Sequence, residues 1–172
     1  MKPLTPPSRL AAVLVTAAML GACTSVPEAL RPAPGERLLW TALAEGHWLY
    51  HCRLSNDGQT LAWAPSQPDA VLRDPSGQAF GRLSAGPDFV HRDGSVAEAR
   101  LKVREGGSQT AMPRAFYIAA PGGKPGAMTA VTGIQQLRTT GGVAPGQGCG
   151  SGEEIMAERR VPFSAEYRFL GR

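Results

Sequence analysis

Histidine and cysteine are the residue types best suited to chemistry in this chain, and it holds three of each. His47 and His51 stand four residues apart in His47-Trp-Leu-Tyr-His51. On a helix that spacing puts both imidazoles on one face, as in zinc peptidases, where a glutamate after the first histidine is the general base. Here Trp48 takes that glutamate's place. Gly46 and the alternation Trp48, Tyr50, Cys52 predict a strand instead. Four strand residues span about 13 Å, too far for one metal to hold both rings. His47, His51 and His91 are therefore expected on the surface, and no metal or other cofactor is expected.

Cys149 lies in the glycine-rich stretch Gly146–Gly152. It could be a nucleophile, or it could pair with Cys52. An exported chain with two thiols to spare favours the disulfide. No Gly-x-Ser-x-Gly elbow, no phosphate-binding Gly-x-x-x-x-Gly-Lys loop and no Gly-x-Gly-x-x-Gly turn occurs in the sequence. Ser95 and Ser151 have no evident base. Asp57, Asp74, Asp88 and Asp93 sit at expected turns or loop edges, where aspartate is favoured for backbone geometry. The balance leans away from an enzyme.

The amino terminus carries an address. Lys2 and Arg9 precede the apolar run Leu10–Leu20, which is too short for the roughly 20 residues of a spanning helix. The boundary Leu20-Gly21-Ala22-Cys23 resembles the lipobox of bacterial lipoproteins. It implies lipidation of Cys23 and removal of residues 1–22. Acyl chains there give a membrane partner. Thr24, rather than aspartate, after Cys23 implies the outer membrane, facing the periplasm, in a Gram-negative cell. Losing Lys2 and Arg9 lowers the formal charge from +4 to +2. The remaining Lys and Arg are scattered, which excludes a nucleic-acid binder.

The elements that must position these residues are short and turn-bounded. Residues 23–36, with Pro27, Pro32 and Pro34, are expected as a tether and 37–172 as one domain. Strands are expected at 38–43, 45–53, 60–64, 70–73, 78–83, 89–91, 96–103, 113–119, 128–138 and 161–170, with turns at Asn56–Gln59, Asp74–Gly77 and Asp93-Gly94. Residues 140–154 form a long glycine-rich loop. The expected fold class is all-β, a single antiparallel sandwich or barrel-like domain with long Gly/Pro-rich loops.

Several motifs then line up in order: Gly46, Tyr50 and Cys52; Trp63 and Pro65; Asp69–Leu72 with Asp74 and Gly77; Ala85-Gly86-Pro87; Asp93-Gly94-Ser95; Val131–Gln136; Thr140–Gly142; Ala144-Pro145; Cys149; and Val161–Phe169. Together they resemble the domain of unknown function 3455 family over Val26–Leu170. The resemblance implies an exported β-rich domain and carries no activity with it. Trp48, Leu83 and Phe89 depart from the family pattern, and Leu83 stands where relatives have a histidine. Any chemistry of that histidine is lost here. Trp63, Gly86, Pro87 and Asp93 are candidate cleft residues. The expected function is a lipid-anchored envelope domain that binds or scaffolds an unknown partner or ligand. The alternative is a small-ligand or saccharide binder, or a hydrolase, whose site forms only in the fold, with Trp40 and Trp63 as a stacking platform.

Overall fold

The computed structural model describes residues 26–172. Residues 1–22 and Cys23, to which the export signal and the lipid anchor were assigned, lie outside them. Eight antiparallel strands close into one barrel in sequence order. They are β1 (Arg37–Leu54), β2 (Leu61–Arg73), β3 (Ala79–Ser84), β4 (Asp88–His91), β5 (Ser95–Glu105), β6 (Arg114–Gly123), β7 (Gly133–Gly141) and β8 (Glu158–Gly171). The all-β, barrel-like expectation holds.

Period-2 alternation builds the interior. Ala42, Ala44, Tyr50 and Cys52 of β1 are buried, while Leu43, Glu45 and His47 point outward and are exposed. Small and large residues alternate across the lumen, as filling a small barrel requires. Alanines at 70, 97, 99, 115, 119 and 165 leave room for Phe89, Tyr167 and Phe169. Phe89 meets the other two rings edge-on, with centroids 5.0 and 5.4 Å away. Gly46 faces Ala70, and a side chain there would strike the β2 backbone.

The strands differ from expectation in three places. The two strands expected at 38–43 and 45–53 are one, because nothing at Ala44 breaks the pairing with β8. The pair expected at 60–64 and 70–73 is also one strand, running through Pro65 and Pro68. Its pairing with β3 ends at Ala70 opposite Leu83, so the prolines lie on an edge, where a missing N–H is tolerated. The strand expected over 128–138 begins only at Gly133. Ala127–Ala130 is a 3-10 turn instead, with Met128 fully buried at one end of the barrel.

That closed end is fixed by Asp93 and Ser95. Asp93 accepts hydrogen bonds from the Ala127 and Ser95 amides at 2.9 and 2.8 Å and from the Ser95 hydroxyl at 2.6 Å. The Ser95 hydroxyl in turn accepts the Met128 N–H at 3.0 Å.

The segment Val26–Glu36 lies against the barrel wall. Leu30 is fully buried with Phe116, Leu137 and Leu170 in a small second core outside the lumen. Its carbonyl accepts from Gln135 Nε2 at 2.6 Å, and Glu36 accepts from the Thr132 hydroxyl at 2.6 Å. Proline there shapes a docked strap rather than an open spacer.

Candidate functional site

β5 starts beside the closed end at Ser95 and climbs to Glu105. At the far end the barrel is open. Pairing of β4 with β5 stops at Asp88 opposite Glu98, and pairing of β3 with β2 stops at Leu83 opposite Ala70. The short β3–β4 hairpin therefore leaves the upper parts of β2 and β5 paired on one side only.

A pocket of about 620 Å³ sits at this mouth. That volume suits a small molecule. Trp48, Tyr50 and Tyr117 supply aromatic surface, Met112 and Pro65 add apolar surface, and Gln136 and Arg104 are polar. The residues come from β1, β2, β5, β6, β7 and the loops after β5 and β7. Only closure of the barrel assembles them.

Arg104 reaches the pocket through a register shift between Leu101 and Val103. Ala97 and Ala99 face the lumen. Strict alternation would continue with Val103. The bulge breaks that parity, so Val103 packs outside with Phe116 and Arg104 borders the pocket. Re-aiming a side chain is a common consequence of a bulge.

Gln136 organises the floor. Its Oε1 accepts from Tyr117 at 3.2 Å and from Tyr167 at 2.8 Å, and its Nε2 donates to the Pro113 carbonyl at 2.8 Å. Burial raises the pKa of Tyr50 and Tyr117, although the nearby Arg104 charge opposes it in both. Burial pushes Tyr167 well above the ordinary tyrosine value, with Tyr117 adding to the effect. These phenols are neutral hydrogen-bonding groups at physiological pH. The indole nitrogen of Trp48 is buried and has no hydrogen-bond partner among the described residues.

One wall of the mouth is the loop that follows β7. The Tyr50 hydroxyl donates to the Gly142 carbonyl at 2.7 Å. Further along, Cys149 is bonded to Cys52, with Cα atoms 5.4 Å apart. The disulfide reading of those two thiols holds.

The four candidate cleft residues do not meet. Trp63 stands beside the disulfide loop, donating its indole N–H to the Gln147 carbonyl at 2.9 Å under the Arg159 guanidinium. It borders a separate shallow depression with Gly148 and Cys149. Gly86 and Pro87 form the β3–β4 turn, where Gly86 has φ +132° and a side chain would meet the Asp88 carboxylate. Asp93 is at the closed end. Trp40 stacks on Phe169 at 5.2 Å, away from Trp63. His51 lies 3.3 Å from Glu158 and His91 lies 3.0 Å from Asp93. Among the described residues no three histidine, cysteine or acidic side chains gather as a metal site.

Sequence reasoning placed Trp48, Tyr50 and Tyr117 in strands but did not mark the pocket. Arg104 and Met112 carried no motif, and Gln136 stood in the Val131–Gln136 motif with no role assigned to it. The one signal was Gln136, an amide amid apolar and β-branched neighbours in an expected strand.

A family model described as "Protein of unknown function (DUF3455)" matches residues 75–171. No curated protein and no solved structure matches the chain.

Proposed function

The chain belongs to the DUF3455 family of proteins of unknown function, and from that premise we propose that it is a binding domain of the bacterial envelope. It holds a small ligand in the barrel mouth. The mouth pocket carries this reading: aromatic walls, a few convergent polar groups and a volume of about 620 Å³. Among the described residues its lining contains no histidine, carboxylate or thiol. Its tyrosines are held neutral by burial. That favours binding over acid–base or nucleophilic catalysis, which needs a group poised near the working pH.

Ligand-observed NMR of the domain with a small-molecule library tests the site. Compounds should bind, and Ala144→Trp, which fills the mouth, should abolish their binding. Hits that persist in Ala144→Trp, or no hits at all, would overturn the reading.

The anchor is the second part of the proposal. The lipobox supports lipidation at Cys23, leaving only Cys23, Thr24 and Ser25 before the docked strap. Three residues reach about 10 Å at most, so the barrel would ride close to the bilayer. Palmitate labelling that survives Cys23→Ser would refute the anchor.

A further inference from the structure

We infer that the ligand of the mouth pocket is an organic anion, a carboxylate on a compact aromatic or alicyclic body. This rests on the binding reading above and adds the chemical class. Three observations converge on it.

The first is charge. Among the described residues, Arg104 is the one ionised side chain bordering the pocket. It makes no ion pair among the described residues. Its sequence neighbour Glu105 lies opposite Arg114 in the β5–β6 register, on the other face of the strand. A guanidinium offers a planar fork that matches a carboxylate with two parallel hydrogen bonds. The bulge at Leu101–Val103 brings this charge to the mouth, where regular alternation would have placed valine.

The second is an unused donor. The Trp48 indole N–H is buried and unpartnered in a residue that borders the same pocket. Buried donors without an acceptor are rare and call for an explanation. Indole nitrogen can only donate, so a group that reached it from the pocket would have to accept. Anionic oxygen is the strongest acceptor.

The third is the body of the site. Trp48, Tyr50 and Tyr117 offer ring faces, and Met112 fills gaps of irregular shape. A ring system fits such walls better than a flexible polar chain. A cation would meet Arg104 as a like charge.

The test uses 2-naphthoate, its neutral isostere 2-naphthamide and 2-naphthylmethylamine, titrated against the domain by calorimetry. The carboxylate should bind about tenfold or more tightly than the amide. The amine should be weakest. Arg104 is exposed, so Arg104→Gln should fold normally and bring carboxylate and amide to similar affinity. Raising salt should weaken the carboxylate selectively. Trp48→Phe should also weaken the carboxylate. Equal binding of carboxylate and amide to the unaltered domain would overturn the anion assignment and leave the pocket reading standing. Naphthalene probes that fail while uncharged library compounds occupy the mouth would also overturn it. Failure of every compound to occupy the mouth would defeat the binding reading itself.

Discussion

The Tyr50 hydroxyl donates to the carbonyl of Gly142, 2.7 Å away and 92 residues later in the chain. This buried bond ties the first strand to the loop that walls the mouth. Tyr50→Phe keeps the ring and orphans the carbonyl. The expected cost is about 1–3 kcal/mol, the range for leaving a buried polar group unpaired. Urea unfolding measures it. A change within error would mean the loop is held by its other contacts alone.

Gln136 is the shared acceptor of Tyr117 and Tyr167. Gln136→Leu is close in size and strands two buried hydroxyls, so a loss of about 2–4 kcal/mol is expected. Tyr167→Phe removes one donor and should cost less. The double variant should lose less than the sum of the two, because it removes both ends of one bond. Additive losses would show that the network does not act as a unit.

The Cys52–Cys149 bridge closes a loop of sequence separation 97. Chain entropy assigns such a crosslink roughly 4–5 kcal/mol. Reduction, or Cys52→Ser with Cys149→Ser, should lower the denaturation midpoint accordingly. It should also loosen the Trp63–Gln147 contact, so Trp63 fluorescence should shift before global unfolding. A bridge-free domain of unchanged midpoint would contradict the assignment.

Asp93 gives an acid-side dependence. The Ala127 amide, then the Ser95 hydroxyl and amide, depress its pKa far below the ordinary 3.8. A folded pKa below the unfolded one means that stability is fully present above the unfolded value. It is withdrawn as pH falls through the folded value. Asp93→Asn should be less stable at neutral pH and should lose less on acidification than the unaltered domain. Thermal melts from pH 7 down to pH 2 read both slopes. Parallel curves would dismiss Asp93 as the source.

Much of the fold was legible because strands announce themselves by period 2 and by their turns. Trp48, Tyr50 and Cys52 marked one face of β1, and Asp74–Gly77 and Asp93-Gly94 marked two hairpins. The disulfide followed from counting thiols. The mouth was not legible, for a physical reason. Its residues come from five strands and two loops, and the motifs that hold Tyr50, Pro65, Gln136, Gly142 and Ala144 do not mark a pocket. Arg104 is the sharpest case, since simple alternation puts it on the wrong face and only the bulge reverses this. Pro65 and Pro68 misled in the opposite direction, because their cost vanishes on an edge that sequence does not reveal. Met128 looked like a strand residue and proved to be the plug of the closed end.

The strap Val26–Glu36 supplies the last test. Its composition suggests a spacer, yet Leu30 is fully buried against Phe116, Leu137 and Leu170. Gln135 adds a buried hydrogen bond to the Leu30 carbonyl. Truncating a buried leucine to alanine costs about 2–5 kcal/mol, depending on how well the site collapses. This site is small and peripheral, so Leu30→Ala should fall near 2–3 kcal/mol. Beginning the chain at Arg37 should cost more, since Phe116, Leu137 and Leu170 would then face water. It would also remove the Glu36–Thr132 bond. Both chains should still form the barrel, because the lumen core shares none of these contacts. Hydrogen exchange separates the outcomes. Leu30→Ala should speed exchange along β6 and β7 on the strap side and spare β3 and β4. Uniform acceleration across all eight strands would mean that the strap and the barrel unfold as one unit.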